Sequence, residues 1–316
     1  MQDNIPVLDD IIDAYNRIKY HIHRTPVLTS ESINKILGTE IFFKCDNFQK
    51  VGAFKFRGAL NAVSLLSDEE LKKGVATHSS GNYAAALTLA ASLKGSTAYI
   101  VMPENAPEIK KKAVAGYGAK ITFCKPSLEA RESTLEKIVA ETGAVFLHPF
   151  NDHNVIAGQG TASLEFLEDC PDLDLILAPL GGGGLLSGTA IYCKESNSGI
   201  EVIGVEPKGA DDAYRSLKAG RILPSVNPQT IADGLLTSLG NKTFKALQKY
   251  VDDVILVEEE SIVEAMRLVW ERMKIIIEPS SAVPLAGILE NKGFFKGKKT
   301  GIIISGGNVD INDLPF

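Results

Sequence analysis

Leu173-Asp174-Leu175-Ile176-Leu177-Ala178-Pro179-Leu180-Gly181-Gly182-Gly183-Gly184-Leu185-Leu186-Ser187-Gly188 decides the fold. No charged residue occurs between positions 175 and 193. The run is nearly long enough to cross a bilayer. Its five glycines and Pro179 instead divide it into a strand, a loop and a helix opening at Leu185. Glycines between a strand and a helix let backbone N–H groups converge without Cβ obstruction, and the helix N-terminus adds a positive dipole end. Such a turn suits an anion, a phosphate above all. Read as structure alone, it is a tight strand-to-helix turn, bought at a high cost in chain entropy. A dinucleotide site is the other reading. Glu206 supplies the acidic residue after the next strand, but the G-x-G-x-x-G spacing is lacking.

Similar apolar runs lie on both sides. Candidate strands are 41–45, 74–78, 98–102, 120–124, 144–147, 173–178, 202–205, 253–257 and 301–304. Helical patterns separate them at 56–66, 82–93, 106–115, 128–141, 158–167 and 261–274. Strands alternating with helices predict an α/β protein with parallel sheets covered on both faces. The 316 residues suffice for two domains, and the 45% apolar and 23% charged content is ordinary for a globular chain. A net charge of −6 argues against nucleic-acid and anionic-membrane partners. The basic clusters 110–112 and 296–299 read as solvated surface. Cys45, Cys124, Cys170 and Cys193 form no C-x-x-C pair, and Met1 to Pro6 shows no leader pattern. Free thiols in a cytoplasmic, reducing setting are the expectation.

Three further segments carry chemistry. In Gly52-Ala53-Phe54-Lys55-Phe56-Arg57-Gly58 a lysine stands between two aromatics. Desolvation there disfavours the ammonium and leaves an amine able to form a Schiff base. The plain alternative is a snorkelling surface lysine. Ser79-Ser80-Gly81-Asn82 opens the helix 82–93, and its N–H groups suit a carboxylate. Asn82 alone reads equally as a helix cap. Ser305-Gly306-Gly307-Asn308 ends the last strand and alone reads as a glycine-rich turn. Together a Schiff-base lysine, a phosphate cradle and two polar anchors are the parts of a pyridoxal phosphate (PLP) site.

In this order, and preceded by Thr25-Pro26-Val27-Leu28, these segments resemble the serine racemase and serine/threonine dehydratase family of PLP enzymes. The likeness spans nearly the whole chain and is nearest to the serine racemase and hydroxyaspartate dehydratase branch. It implies the tryptophan-synthase-β-like fold type: two doubly wound, mostly parallel sheet domains with PLP in the cleft between them. Residues 74–152 would form the small inserted domain, and residues 1–73 plus 153–316 the large one. Such a chain leaves no room for the C-terminal regulatory module of longer threonine dehydratases. A homodimer is implied.

The resemblance makes Lys55 the Schiff-base lysine, with Phe54 against the pyridine ring. Gly181, Gly182, Gly183, Gly184 and Leu185 would hold the phosphate. Asn82 would meet the phenolic oxygen, Gly234 would line the cofactor, and Ser305 would face the ring nitrogen. A serine there does not hold a proton on that nitrogen as a carboxylate would, which favours β-elimination. Ser79, Ser80, Gly81 and Asn82 would hold the substrate carboxylate. Lys55 removes the α-proton of a β-hydroxy amino acid. Ser80, on the opposite ring face, is the second base that racemisation needs, or else only a carboxylate anchor. Dehydration without racemisation stays open, as does a non-catalytic PLP-binding protein.

Glu206, the Ala210 carbonyl and Asp212 match the branch's ligands for Mg²⁺, with Ca²⁺ or Mn²⁺ as alternatives; as composition they form an acidic loop. Arg131 matches an arginine at the active-site mouth able to pair with a substrate β-carboxylate, which makes 3-hydroxyaspartate a candidate substrate beside serine and threonine. It also reads as a surface helix arginine. The chain departs from its relatives at Tyr83, where His is common, and at Ala53, where Ser is common. Glu31 and Val51 argue against the nucleotide that animal relatives bind nearby. His21, His23, His78, His148 and His153 read as structural or surface residues. Trp270 reads as core, and 278–282 as a loop beside the cofactor that Glu278 would order.

Overall fold

The computed structural model describes residues 4–106, 108–197 and 199–316. Among them lie ten strands: β1 (Val27–Thr29), β2 (Glu40–Cys45), β3 (Val75–His78), β4 (Ala98–Pro103), β5 (Lys120–Cys124), β6 (Val145–Phe146), β7 (Leu175–Pro179), β8 (Glu201–Pro207), β9 (Asp253–Val257) and β10 (Lys299–Ile304). Six run in the order β1-β2-β10-β7-β8-β9 and four in the order β5-β4-β3-β6. Neighbours are parallel throughout except β1, which pairs antiparallel with β2. The expected α/β class with two mostly parallel sheets is therefore what the chain adopts.

Side chains alternate across each strand, so one strand feeds two cores. Ile176, Ala178, Val202 and Ile303 enter one core of the six-stranded sheet, with helices Leu8–Ile18, His153–Asp169 and Gly184–Ser196. Leu175, Leu177, Ile203, Val205, Ile302 and Ile304 enter the other, under helices Glu259–Met273 and Pro279–Glu290. Burial on both faces explains why these strands read as unbroken apolar runs. The four-stranded sheet divides likewise, Val75 and Ile100 to one side and Ala76 and Val101 to the other.

Some expectations need adjusting. β1 has three residues and was not anticipated. Residues 278–282 are not a loop: Glu278 stands at the N-cap position of helix Pro279–Glu290 without a side-chain capping bond, and Pro279 sits at the first turn where its missing N–H costs nothing. The helix expected at 158–167 begins at His153, because the Asp152 side chain accepts from Val155 N. The one expected at 106–115 begins at Glu108; Pro107 lies outside the described residues, as do Met1 to Asp3. Trp270 is partly rather than fully buried, and its indole donates to the Ile277 carbonyl at 3.1 Å.

Lys55 opens helix Lys55–Ser64, and a buried charge network fixes that helix. The fully buried Arg57 guanidinium donates to Asp46 (2.7 Å from Nε) and to Glu165 (2.8 Å). Lys44 Nζ pairs with the same Glu165 oxygen at 2.7 Å, and the Thr25 hydroxyl donates to Asp46 at 2.7 Å. Two cations offset two carboxylates, which is what a dry interior requires. Burial alone would push Asp46 up; the adjoining Arg57 outweighs it and holds the carboxyl below its usual range.

Candidate active site

Each site segment leaves the C-terminal end of a parallel strand, where ligands of such sheets bind. The Lys55 and Ser305 segments are joined directly. Ala53 bridges Gly306, and Phe54 N donates to the Ser305 carbonyl at 2.9 Å. The Lys55 amine lies 4.9 Å from the centre of the Phe54 ring and 6.0 Å from that of Tyr83. Its Nζ donates to the Pro149 carbonyl at 3.2 Å. Burial pushes its pKa down to about 8, against the Glu278 carboxylate, which pulls it up. A neutral amine is therefore accessible near pH 8.

The glycine run joins β7 to helix Gly184–Ser196, with Gly183 at φ +85. A Cβ on Gly182 would lie 2.6 Å from the Phe150 ring, and one on Gly181 would lie 2.7 Å from Leu235 Cα. Side chains are thus barred from this loop on two sides, and its N–H groups stay open to a phosphate. Gly234, next to Leu235, lies against the glycine run, its carbonyl 3.3 Å from where a Cβ on Gly181 would be. Its N–H donates to Ser280 Oγ at 3.0 Å.

Ser79, Ser80 and Gly81 form the turn between β3 and helix Asn82–Leu93, each partly exposed. Gly81 occupies the N-cap position, so Asn82 does not cap its helix. The Asn82 amide instead donates to both Glu278 carboxylate oxygens, at 3.0 and 3.1 Å, and accepts from Asn308 Nδ2 at 2.9 Å. Burial raises the Glu278 pKa to about 7, even though these bonds favour its charge. Ser305 is buried and shares a 2.9 Å hydroxyl contact with Ser281. Ser281 Oγ also accepts from Gly306 N and donates to the Gly306 carbonyl, each at 2.7 Å. The resemblance set 278–282 beside the cofactor but gave Ser281 no role of its own.

Arg131 stands in the first turn of helix Leu128–Thr142, beside the end of β3. Its Nε is buried without a hydrogen-bond partner. Burial first, and then this nearby guanidinium, lower the pKa of His78, the residue before Ser79. The cluster 110–112 is more than solvated surface. Lys110 forms an ion pair with Asp233, next to Gly234, and so ties helix Glu108–Gly116 to the larger sheet's side of the site.

Glu206, one residue before the end of β8, is fully buried and accepts from Ala213 N (3.0 Å) and Tyr214 N (2.9 Å). Asp212 is buried with neither carboxylate oxygen hydrogen-bonded. Ala210, also buried, lies in the turn between them. Burial pushes Glu206 up to about 8 and Asp212 up to about 6, and their proximity adds to the shift on Glu206. Two adjoining buried carboxylates, one of them with both oxygens unpartnered, fit a hard divalent cation, which water would help to coordinate. Among the described residues, no group of three or more His, Cys, Asp or Glu side chains gathers at one point.

The sequence matches the family described as "Pyridoxal-phosphate dependent enzyme" over residues 18–306. The chain belongs to this family. It is 53% identical to a serine racemase from Dictyostelium discoideum over 97% of this chain and 96% of that protein. It is 50% identical to a β-hydroxyaspartate dehydratase from Paracoccus denitrificans, over 99% of each. The crystal structure of the Dictyostelium discoideum serine racemase superposes with a TM-score of 0.92, at 54% identity, covering 96% of this chain and 99% of that one. This is an enzyme of the pyridoxal phosphate class. Among the described residues, no helix is long and apolar enough to cross a membrane.

Proposed function

We propose that this enzyme racemises serine and also eliminates water from small β-hydroxy amino acids, releasing a keto acid and ammonia. One arrangement carries the reading: the Lys55 amine lies against Phe54, on a segment hydrogen-bonded to Ser305, and bonds the Pro149 carbonyl next to the ring that backs the glycine cradle. When bound, pyridoxal phosphate supplies the electron sink that makes the substrate α-carbon acidic. The glycines 181–184 and Leu185 would hold its phosphate, Phe54 would pack on its ring, Gly234 would line it, Asn82 would meet its phenolic oxygen and Ser305 would face its ring nitrogen. Ser79, Ser80, Gly81 and Asn82 anchor the substrate carboxylate. Lys55 takes the α-proton on one face, and Ser80 exchanges it on the other.

Residues 74–152 form the smaller domain and 1–73 plus 153–316 the larger. Glu206, the Ala210 carbonyl and Asp212 hold Mg²⁺ or a similar ion. The enzyme works as a cytoplasmic homodimer.

Arg131 favours a second reading, a dehydratase of L-threo-3-hydroxyaspartate. Its buried, unpartnered Nε is a donor in search of an acceptor such as a substrate β-carboxylate. Purified holoenzyme with Mg²⁺ is incubated separately with L-serine, L-threonine and L-threo-3-hydroxyaspartate, and keto acid and D-serine are measured together. D-serine appearing with pyruvate supports the racemase-dehydratase. Keto acid from hydroxyaspartate alone selects the second reading. No product from any of the three, with cofactor bound, defeats both.

A further inference from the structure

The turn 148–151 lies between β6 and helix His153–Asp169 and touches the site twice. Its Pro149 carbonyl accepts from Lys55 Nζ, and its Phe150 backs the glycine run, the ring against Gly182 and the Cβ and backbone against Gly184. His148 holds this turn together. Its Nδ1 lies 3.0 Å from Asn151 N and 3.3 Å from Phe150 N. A backbone N–H can only donate, so Nδ1 is an unprotonated acceptor and the single ring proton sits on Nε2. Pro149 has no N–H, so the turn's next two backbone donors converge on one nitrogen. The Phe150 ring meets the imidazole edge-on, with centroids 4.5 Å apart. Burial, then His78, Lys55 and Lys242, push the His148 pKa down to about 3, so the ring stays neutral at working pH. Beyond the turn, Asn151 Oδ1 accepts from Lys242 N at 2.9 Å, which fastens it to the start of helix Asn241–Tyr250.

We propose that His148 is a positioning residue: by accepting both N–H groups of the turn, it fixes the Pro149 carbonyl against the Lys55 amine and the Phe150 ring against the glycine cradle. This rests on the reading of Lys55 as the cofactor-bearing lysine. During turnover the Lys55 amine is released and must hold and return a proton at Nζ. The Pro149 carbonyl is the acceptor that aims it. His148 makes no hydrogen bond to the substrate-anchoring turn at 79–82 and meets it only through the neighbouring His78 ring, edge-on with centroids 6.3 Å apart, so a change at His148 should act on kcat and cofactor retention more than on KM.

His148→Leu removes the acceptor, and His148→Asn restores one near the Nδ1 position. In purified holoenzyme, His148→Leu should lower kcat for L-serine elimination by about tenfold or more, with KM within about twofold of the parent. It should also lose cofactor several-fold faster on dialysis, and His148→Asn should recover most of both effects. Should His148→Leu not fold, His148→Gln takes its place, with its oxygen one bond too far out; the same losses are expected. Parent-like kcat and cofactor retention in His148→Leu would overturn the assignment. So would a His148→Asn variant with parental melting that recovers neither property. A parent that binds cofactor but turns over no substrate defeats the proposed function; the comparison of cofactor loss still decides His148.

Discussion

Lys55 is a lysine whose charge its surroundings oppose. Burial brings its pKa from an ordinary 10.5 to about 8. Before the cofactor is bound, the unfolded chain therefore holds more protons than the folded one between about pH 8 and 10.5. Folding stability contributed by this residue rises with pH across that window; below pH 8 both states are protonated and the full cost is present. Lys55→Met should flatten this rise, seen by denaturant unfolding of the cofactor-free protein at pH 8 and pH 10. An identical pH dependence in parent and variant would contradict the burial of the amine. The sequence disclosed Lys55 through its aromatic flanks and the company of three other segments. It did not disclose the partners that tune it. The carbonyl of Pro149 is 94 residues away and Glu278 lies in another element. Long-range partners of this kind leave no local pattern, which is also why His148 read only as structural or surface and Ser281 was given no role of its own.

At the scale of elements, helix Lys55–Ser64 is held by charge as well as by apolar packing. Glu165→Gln leaves Arg57 and Lys44 sharing too little negative charge in a dry interior. A loss of about 3–5 kcal/mol is expected, read from denaturant midpoints; a change within about 0.5 kcal/mol would mean that water reaches the network. The glycine cradle makes a second test. Gly182→Ala sets a methyl 2.6 Å from the Phe150 ring. Affinity for pyridoxal phosphate should fall by about tenfold or more, since the ring or the loop must shift by more than a side chain at that distance tolerates. Unchanged affinity would place the phosphate elsewhere. Periodicity revealed the larger strands because two-sided burial makes them uniformly apolar. It missed β1 because three residues at a sheet edge, with none fully buried, give no run to read. It also missed helix Pro279–Glu290, because Pro279 and the internal Pro284 look like breaks.

Across the whole molecule, segments from both sheets meet at one cleft. Asn82 to Glu278, Lys110 to Asp233 and Asn151 to Lys242 join the side carrying β3–β6 to the side carrying β7–β10. The proposed cation site at Glu206 and Asp212 lies apart from these links. Its loop is tied to the cofactor side through Gln229 N, which donates to the Gly209 carbonyl at 2.8 Å. Mg²⁺ should raise the melting temperature of the parent, and Asp212→Asn should abolish that rise; an equal rise in the variant would remove Asp212 from the ligand set. The family and its two-sheet fold were legible because four motifs recur in one order. The closing contacts were not, because each pairs residues that are ordinary in isolation.

The central claim is that two bases, Lys55 and Ser80, address opposite faces of one substrate. The most direct measurement is the ratio of D-serine to pyruvate formed from L-serine by Ser80→Ala holoenzyme. The two-base account predicts that D-serine formation is abolished while much of the pyruvate formation remains. Loss of both products together, or a ratio equal to the parent's, would contradict it.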